Sequence, residues 1–502
     1  MRTAEDRARY AAFESKDARF DGRFFVGIST TGIYCRPVCR AKLPKPENCS
    51  FYTTAAAAEQ AGFRPCLLCR PELAPGSARV DAVSSLAQRA ARLLEENCGS
   101  EQSMAELAGQ LGCTDRHLRR AFAAEYHVTP IQYLQTCRLL LAKNLLTDTE
   151  LSVIDVAMAS GFGSLRRFND LFQKHYRLAP TALRRQAAGK KEPHSDVTVA
   201  LGYRPPYQWQ QILDFLALRA IPGVETVSNG EYLRTVCLKS GDRQVYGWVR
   251  IGHQPQKNVL TVTLNDFLLP VLPQVLSRIR HLFDLYCDPD AVYDGLASMN
   301  HIRPGLCVRG TRVPGSFDPF EMTVRAVLGQ QITVKGARTL AARLVAAYGT
   351  PIQTGIEGLT HVFPSPETML AFDGSIGDHL GPLGITGARA NTILELARAF
   401  VLGTIDFSFC PQPETELQKL MEIPGIGPWT AQYITMRAMG WTDAFPHTDY
   451  GVQKALAPRA SKEILDLAET WRPWRSYATV NLWTLSKNRR EICFIQHSIH
   501  HP

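Results

Sequence analysis

The period of the hydrophobic positions changes along the chain and divides it into four parts. From residue 13 to 71 the sequence is rich in Gly, Pro, Arg and Cys, with short strand-like runs such as RFFVGIST. From 80 to about 185 apolar residues recur every three or four positions, as in VSSLAQRAARLL and LRRFNDLFQKHY, which predicts amphipathic helices. Between 197 and about 304 strand-like runs such as VTVALGY and YLRTVCL mix with helical ones, and after Pro314 the helical period returns.

These changes predict a multidomain α+β protein. A chain of 502 residues is too long for one hydrophobic core. We expect a small first domain that needs a metal to stabilise it, an all-α domain, an α+β domain and a second all-α domain. Their predicted ranges are 1–79, 80–188, 194–305 and 306–498. The polar, basic segment AAGKKEPHSD separates the second domain from the third.

Charge is distributed unevenly over these parts. The formal net charge is +9, and the whole excess of Lys and Arg over Asp and Glu lies in the first two parts. This asymmetry is typical of a front end that binds a polyanion, although a solvated basic surface gives the same pattern. No apolar run reaches the roughly 20 residues that cross a bilayer, and the start, MRTAEDRARY, lacks the apolar core of a signal peptide. We therefore expect a cytoplasmic protein with no membrane partner.

Four cysteines form two closely spaced pairs. Cys35 and Cys39 are separated by three residues, and Cys66 and Cys69 by two. Each pair can occupy two coordination positions of one Zn²⁺ ion, and cysteines in a reducing compartment are more often thiols or metal ligands than disulfides. The spacing predicts one zinc site with four cysteine ligands. On spacing alone, that site could be purely structural.

The second part contains two copies of a helix, a Gly turn and a second helix. The copies are SMAELAGQLGCTDRHLRRAF and VIDVAMASGFGSLRRFNDLFQKHY. Residues near the start of such a second helix reach base edges or phosphates in the major groove of DNA. Either copy alone could arise by chance, but two copies joined by a long helix favour DNA binding. The candidate contact residues are Arg116, His117, Arg119 and Arg120 in the first copy and Ser164, Arg166 and Arg167 in the second.

The last part contains a Gly-rich turn between two predicted helices, in LMEIPGIGPWTA. Gly425 and Gly427 permit a tight turn and leave backbone N–H groups open, which can hold a phosphate oxygen without a charged side chain. A helix-hairpin-helix of this kind contacts DNA irrespective of sequence. A Gly-rich turn between two packed helices is also common in proteins that bind no DNA.

A lone carboxylate, Asp449, follows this turn in HTDYG. It stands just before GVQKALA, where an ordinary helix N-cap would also stand. Beside a DNA-binding hairpin, the carboxylate could instead stabilise positive charge on the sugar, and help to orient water, while an N-glycosidic bond breaks. Three aromatic residues of the same part could stack on a flipped base or could simply pack in the core. These residues are Trp429, Tyr433 and Trp483.

The first two parts resemble known families. The run from Phe24 to Pro71, with TTGIYCRPVCRA, NCSFY and AGFRPCLLCRPE, resembles the amino-terminal domain of Ada-type methylation-response proteins. The resemblance implies that Cys35, as a zinc-bound thiolate, accepts the methyl group of a DNA methylphosphotriester in a single turnover. The other implied zinc ligands are Cys39, Cys66 and Cys69. The segment from about 83 to 185 resembles the AraC-type DNA-binding domain.

The last two parts resemble the helix-hairpin-helix glycosylase superfamily, and within it the AlkA-type 3-methyladenine DNA glycosylases. This resemblance rests on RAVLGQQITVKGA, IPGIGPWTA, HTDYGVQKAL and WRPWRSYATVNLW, and on YRPPYQWQQILDFL for the amino-terminal domain of that enzyme. It implies that Asp449 is the catalytic carboxylate. The implied base-pocket residues are Trp429, Tyr433 and Trp483.

Departures from the wider superfamily refine this expectation. Members that also cut the strand carry a lysine in the hairpin, where this chain has Trp429, so a monofunctional glycosylase is expected. Members with an iron–sulfur cluster end in four cysteines, whereas only Cys410 and Cys493 follow Pro314, so no cluster is expected. Gln331 stands near where AlkA-type enzymes insert an apolar side chain into the duplex, which leaves the wedge residue open.

The four resemblances together imply an alkylation-damage response protein that both activates transcription and excises alkylated purines. Its expected partners are alkylated and promoter double-stranded DNA and RNA polymerase, in the nucleoid. No second methyl-acceptor motif resembling PCHR occurs, so direct O6-methylguanine repair is not expected. Two alternatives remain: a regulator whose glycosylase-like half only binds DNA, and a constitutive repair enzyme that its front end merely delivers to DNA.

Overall fold

The chain packs into two compact units. The first unit comprises Met1–Pro205 and Glu231–Arg280, and the second comprises Pro206–Gly230 and His281–Pro502. The sequence predicts four domains, whereas the folded chain divides into two units. The limits of the four domains therefore stay predictions. The computed structural model describes residues 3–75, 86–99, 103–187, 196–241, 243–405, 407 and 413–485. Most of the expected linker AAGKKEPHSD, along with Cys410 and Cys493, lies outside these residues.

A small four-stranded sheet lies near the start of the first unit. Its strands follow the order Cys49–Tyr52, Phe25–Ile28, Ile33–Cys35 and Arg64–Pro65. The first three pair antiparallel, and the last runs parallel to its neighbour. Because Cys35 ends one strand and Cys66 directly follows the parallel one, the sheet brings the two cysteine pairs together. The other elements are helices Ala4–Glu14 and Ala55–Gln60 and the 3-10 turns Ala18–Phe20, Pro46–Asn48 and Pro71–Leu73.

A series of helices follows, as the hydrophobic period predicts. They are Leu86–Glu96, Met104–Gln110, Asp115–Tyr126, Pro130–Asp148, Val153–Ala159, Leu165–Tyr176 and Pro180–Ala187. Ser or Thr side chains accept backbone N–H groups at the start of five of them, which fixes where these helices begin. We call Asp115–Tyr126 the first recognition helix, Leu165–Tyr176 the second recognition helix and Pro130–Asp148 the connecting helix. Their apolar faces bury Phe122, Phe168 and Phe172 completely.

Four antiparallel strands complete the first unit. In order across the sheet they are Asp196–Gly202, Val259–Asn265, Arg243–Gln254 and Glu231–Ser240. Buried residues alternate with more exposed ones along the first strand, which is typical of a sheet with one face on a core. The 3-10 helix Asp266–Val271 and the helix Leu272–Leu282 follow. The strand-like runs of the third part are therefore strands.

The second unit is mostly helical, as the sequence predicts. Its short strands are Glu225–Ser228 and the pair Thr350–Pro351 and His361–Val362. Its helices are Trp209–Arg219, Pro289–Gly295, Met299–Ile302, Pro319–Leu328, Val334–Tyr348, Pro366–Leu370, Ile376–Leu380, Gly387–Val401, Pro413–Glu422, Pro428–Ile434, Tyr450–Leu456 and Ser461–Ala468. The 3-10 turns Gly381–Leu383 and Glu469–Trp471, a π-helical turn at Thr435–Met439 and helical residues 475–485 complete it.

The core of the second unit lies between the helices around Pro319–Leu328 and Gly387–Val401. Val324, Ile393, Leu396 and Leu420 are fully buried there. Trp471 and Trp474 are also buried, so core packing accounts for these two tryptophans. Within the described residues, none of the helices has the length and apolar character needed to span a bilayer.

Glu59 links the small sheet to the helices of the first unit. Its carboxylate accepts hydrogen bonds from the hydroxyls of Tyr34 and Thr136, both at 3.0 Å, and Nδ1 of His175 lies 3.8 Å away. Burial raises the pKa of Glu59 to about 7, although these hydroxyls and the nearby Lys143 favour the charged form. The carboxyl group therefore titrates near neutral pH.

This raised pKa predicts a pH dependence of stability. Folded Glu59 binds its proton more tightly than an unfolded glutamate, so its contribution should be lost as the pH rises from about 4.5 to 7. In the variant Glu59→Gln the carboxyl group is replaced by an amide, which can still form hydrogen bonds but does not ionise. It should exceed the wild type in unfolding free energy above pH 7, by up to about 3 kcal/mol, and match it in acid.

Urea denaturation of the full chain at several pH values measures both curves. The matched control is Glu47→Gln, because Glu47 is exposed to solvent. This control should follow the wild type throughout. Parallel curves for the wild type and Glu59→Gln would contradict the assignment of the titration to Glu59.

Candidate functional site

Asp449 is held by four N–H donors. As the N-cap of helix Tyr450–Leu456, its Oδ1 accepts from the backbone of Gly451 at 2.8 Å and Val452 at 3.3 Å. The indole Nε1–H of Trp483 also donates to Oδ1 at 2.8 Å, and that of Trp429 donates to Oδ2 at 3.1 Å. The predicted alternative that Asp449 is a helix N-cap is thus correct, but it does not account for all four bonds. A cap alone needs only the backbone bonds, and the two indole bonds orient the carboxylate further.

Trp429 and Tyr433 form an aromatic wall beside this carboxylate. They stand four residues apart on helix Pro428–Ile434, and their rings stack with centroids 5.3 Å apart and planes 9° apart. The ring of Trp483 lies 6.1 Å from that of Tyr433 at an angle of 54°. The structure therefore brings together Asp449 and all three aromatic residues that the sequence singles out. Each of the three rings is half-buried.

Phe215, Arg219 and Arg437 extend this cluster, and the sequence analysis missed them. Phe215 stacks on Trp483 with centroids 5.9 Å apart. The guanidinium of Arg219 lies 3.7 Å from the Phe215 ring centre, and that of Arg437 lies 4.8 Å from it. Phe215 and Arg219 belong to helix Trp209–Arg219, far upstream in the sequence. Apart from the resemblance of YRPPYQWQQILDFL, no spacing or motif connects that helix with Asp449.

The two arginines act on the Tyr433 hydroxyl. Arg437 donates to this hydroxyl at 2.9 Å and is itself fixed by bonds to the carbonyls of Pro314 and Gly315. Burial raises the pKa of Tyr433, but Arg437 and Arg219 outweigh it, and the pKa lies below its ordinary value. The phenol is therefore a stronger hydrogen-bond donor than an isolated tyrosine.

Two side chains hold the Gly-rich turn in place by donating hydrogen bonds to its backbone carbonyl groups. Thr392 donates to the carbonyl of Pro424 at 2.8 Å, and the side chain of Gln330 donates to that of Gly425 at 2.8 Å. Gly425 has φ +90°, and a Cβ there would stand 2.1 Å from Oγ1 of Thr392, so only glycine fits. Both Gly425 and Gly427 are exposed, and their N–H groups have no partner among the described residues. These N–H groups are available to a phosphate oxygen.

Gln331 lies next to this turn on the surface. It is exposed, and its φ of +54° places it in the left-handed region. The adjoining Gln330 also bonds to Thr430 at 3.0 Å, which fixes the loop against the hairpin. The polar side chain at 331 thus projects from a well-anchored loop.

The four paired cysteines converge as the spacing predicts. Their sulfur atoms all lie within 4.8 Å of one another. Four thiolates at Zn–S distances of about 2.3 Å would stand about 3.8 Å apart, so the cluster fits a tetrahedral zinc ion. The cysteines are Cys35, Cys39, Cys66 and Cys69. The first three are buried, Cys35 to 2% exposure, whereas Cys69 is partly exposed.

Arg36 and Arg70, which each follow a candidate zinc ligand, anchor the site. The backbone N–H of Arg36 donates to Sγ of Cys69 at 3.3 Å, whereas Cys35 accepts no backbone N–H within the described part of the chain. The side chain of Arg36 pairs with Asp21. Arg70, which follows Cys69, forms an ion pair of 2.8 Å with Asp148 at the end of the connecting helix.

The candidate DNA-contacting arginines are exposed on the recognition helices. Arg116, Arg119 and Arg120 lie on the first of these helices, and Arg166 and Arg167 on the second. His117 is exposed beside them and lies 3.4 Å from Arg120. Arg119 pairs with Asp115 at 2.8 Å. Ser164 precedes its helix as the N-cap, accepting the N–H of Arg167 at 3.4 Å, because a serine oxygen satisfies a free donor best there.

Four family models match successive parts of the chain, in the order that the sequence resemblances imply. "Metal binding domain of Ada" matches residues 8–72, and "Helix-turn-helix domain" matches 107–186. "AlkA N-terminal domain" matches 198–318, and "HhH-GPD superfamily base excision DNA repair protein" matches 324–460. Asp449 lies inside the last match, whereas Trp483 lies beyond it.

One relative matches nearly the whole chain. The "Probable bifunctional transcriptional activator/DNA repair enzyme AlkA" of Mycobacterium tuberculosis (strain CDC 1551 / Oshkosh) is 39% identical over 488 residues, which cover 95% of both chains. The chain belongs to this family of bifunctional activator and repair proteins. "DNA-3-methyladenine glycosylase 2" of Escherichia coli (strain K12) resembles part of this chain. It is 35% identical, over 56% of this chain and 95% of its own.

A third relative resembles a shorter part of the chain. The "Bifunctional transcriptional activator/DNA repair enzyme Ada" of Escherichia coli (strain K12) is 37% identical over 158 residues. That match covers 31% of this chain and 43% of the relative. The family membership and the four domain types inferred from the sequence are therefore confirmed.

Proposed function

We propose that this protein senses and repairs alkylated DNA with two separate sites. The second unit hydrolyses the N-glycosidic bond of alkylated purines such as 3-methyladenine. In the first unit, Cys35 accepts the methyl group of a DNA methylphosphotriester once, and the helix-turn-helix pair activates transcription. The relatives' printed names and the four matched domain types support this assignment.

The observation that carries the glycosylase proposal is the placement of Asp449 between two indole N–H groups beside stacked rings. A flipped purine that carries an extra alkyl group is electron-poor, so it would stack favourably on the electron-rich faces of Trp429 and Tyr433. The Asp449 carboxylate would then lie beside the sugar. Its Oδ2 accepts one bond among the described residues, which leaves a lone pair for the cationic sugar or for a water molecule.

The reaction follows from this placement. The bond between C1′ and the purine nitrogen breaks, and its electron pair leaves with the base. Asp449 stabilises the positive charge that develops on the sugar, and a preorganised charge of this kind is commonly the largest catalytic term. Water then adds to C1′ and releases a proton, which leaves an abasic site. With Trp429 in the hairpin instead of a lysine, the strand stays intact.

The proposed methyl transfer uses the cysteine cluster. Bound zinc keeps the thiols deprotonated at neutral pH, which makes them nucleophiles. The Cys35 sulfur attacks the methyl carbon, a sulfur–carbon bond forms, and the electron pair of the broken carbon–oxygen bond stays on the phosphate. The absence of a backbone donor to Cys35 among the described residues supports its choice over Cys69, since the Arg36 N–H withdraws charge from the Cys69 sulfur.

Transcription activation would follow from DNA binding by the two recognition helices, with RNA polymerase as the partner, in the cytoplasm on the nucleoid. Methylation of Cys35 removes one negative charge from the site and weakens its repulsion toward DNA phosphates. Arg70 also connects the cysteine cluster to the DNA-binding helices, because it follows Cys69 in the chain and its side chain pairs with Asp148 at the end of the connecting helix.

The glycosylase proposal predicts a specific product. Wild-type protein incubated with methylated duplex DNA should release free 3-methyladenine, and the strand should break only when the abasic site is treated with alkali. Chromatography of the released bases and a denaturing gel measure the two results. Bound DNA without any released base would favour the regulator whose glycosylase-like half only binds DNA.

A further inference from the structure

Gly451 occupies a position in the candidate site where a side chain has no room. It is the second residue of helix Tyr450–Leu456, and its N–H donates to Oδ1 of Asp449 at 2.8 Å. A Cβ at this position would stand 2.7 Å from Cδ1 and 3.3 Å from Nε1 of Trp483. The φ of Gly451 is not positive, so its backbone conformation does not require glycine. Glycine is required at this position only because a side chain would not fit.

The Trp483 indole has little freedom to move away from Gly451. Phe215 stacks on the indole with the two planes 19° apart, and the guanidinium of Arg219 lies 3.7 Å from the Phe215 ring centre. The nitrogen edge of the indole is bonded to Asp449 at 2.8 Å and faces Gly451. A stacked aromatic ring yields less readily than the tip of a flexible side chain.

We propose that Gly451 is a positioning residue for the glycosylase reaction. Because it lacks a side chain, the indole of Trp483 can approach closely enough to hydrogen-bond the carboxylate of Asp449. This inference rests on the proposed function and extends it to a residue that does not touch the substrate. It also gives Trp483 a second task besides lining the base pocket, namely holding the Asp449 carboxylate in place.

An added methyl group should therefore act on catalysis through Trp483. In Gly451→Ala the indole edge has to shift, which lengthens or breaks the Trp483–Asp449 bond. Loss of a hydrogen bond to a charged group corresponds to about a 10- to 100-fold change in rate when it acts in the transition state. The affinity for DNA should change by less than about threefold, since the hairpin N–H groups are untouched.

The test is single-turnover base release from methylated duplex DNA, with excess full-length protein. The matched control is Gly377→Ala, which also places alanine at the second position of a helix. Its Cβ would meet only Oγ of Ser375, at 3.3 Å. We expect Gly451→Ala to release base about 10- to 100-fold more slowly and Gly377→Ala to match the wild type. Equal rates for all three proteins would overturn the inference.

Two further readouts separate positioning from a loss of structure. Gly451→Ala should stay folded at the assay temperature, and its affinity for a duplex with an abasic-site analogue should stay near that of the wild type. The second readout uses the variant Trp483→Phe, which has no indole N–H. In that background Gly451→Ala should slow base release by less than about threefold, because the bond from residue 483 to Asp449 is already lost. If the double variant loses rate by the product of the two single effects, Gly451 acts independently of Trp483 and the inference is wrong.

The proposed function and this inference can fail separately. If the wild type releases no base, the glycosylase assignment fails. The indole N–H resonance of Trp483, identified by its loss in Trp483→Phe, then still reports on the geometry. A resonance that is the same in Gly451→Ala and the wild type would contradict the inference whatever the enzyme does.

Discussion

Asp449→Asn is expected to lower the single-turnover rate of base release from methylated DNA by about 1,000-fold or more. The substitution removes the negative charge that faces the developing sugar cation. Asparagine still caps a helix nearly as well as aspartate, so the unfolding free energy should change little. However, its amide NH₂ group would face the Nε1–H of Trp429, and turning the side chain over would set it against the three donors that Oδ1 accepts from.

The control for this prediction is a second carboxylate that caps a helix. Asp318 caps helix Pro319–Leu328 by accepting the N–H of Glu321 at 2.8 Å. Asp318→Asn should release base at the wild-type rate. If Asp449→Asn also does so while binding DNA normally, Asp449 is only a helix cap and the catalytic assignment is wrong.

Cys35→Ala is expected to reduce methyl uptake from DNA methylphosphotriesters to background. The sulfur that forms the new bond is gone, whereas three of the four thiolates remain to hold zinc at lower affinity. The measurement is mass spectrometry of the cysteine peptides after reaction with methylated DNA, on zinc-loaded protein whose metal content is checked. Base release should be unaffected, because the glycosylase residues lie in the second unit.

Cys69→Ala is the matched variant. It also leaves three ligands, and Cys69 is more exposed than Cys35. With zinc bound, Cys69→Ala should still gain a methyl group on Cys35. A methyl group found on Cys69 in the wild type, or unchanged uptake in Cys35→Ala, would move the acceptor away from Cys35.

Local patterns in the sequence predict much of this architecture. Helices and strands follow from the hydrophobic period, because that period reflects which face of each element is buried. The cysteine cluster follows from ligand spacing, since two short loops can each span two positions of one ion. Asp449 stands out because it follows a Gly-rich hairpin in a part that also holds three candidate stacking rings, although an ordinary helix N-cap would stand at the same place. Each of these signals lies within a stretch of a few tens of residues.

The remainder of the site depends on contacts between distant segments. Phe215 stacks on Trp483, and Arg219 lies over Phe215. Both belong to a helix more than 200 residues upstream of Trp483, and only the folded chain brings them to the site. No pattern in the sequence marks Gly451. Its importance appears only in the structure, where a Cβ at this position would stand 2.7 Å from Cδ1 of Trp483. The clamp of Gln330 on Gly425 is likewise a product of tertiary packing.

The central claim is that one chain carries both chemistries, and one experiment tests it most directly. Duplex DNA methylated with a radiolabelled methyl donor is incubated with the full-length wild type, and the label is then traced. We predict two labelled products, a peptide that contains Cys35 and free 3-methyladenine, with neither formed by the double variant Cys35→Ala, Asp449→Asn. Label in only one of these products, or in neither, would contradict the claim.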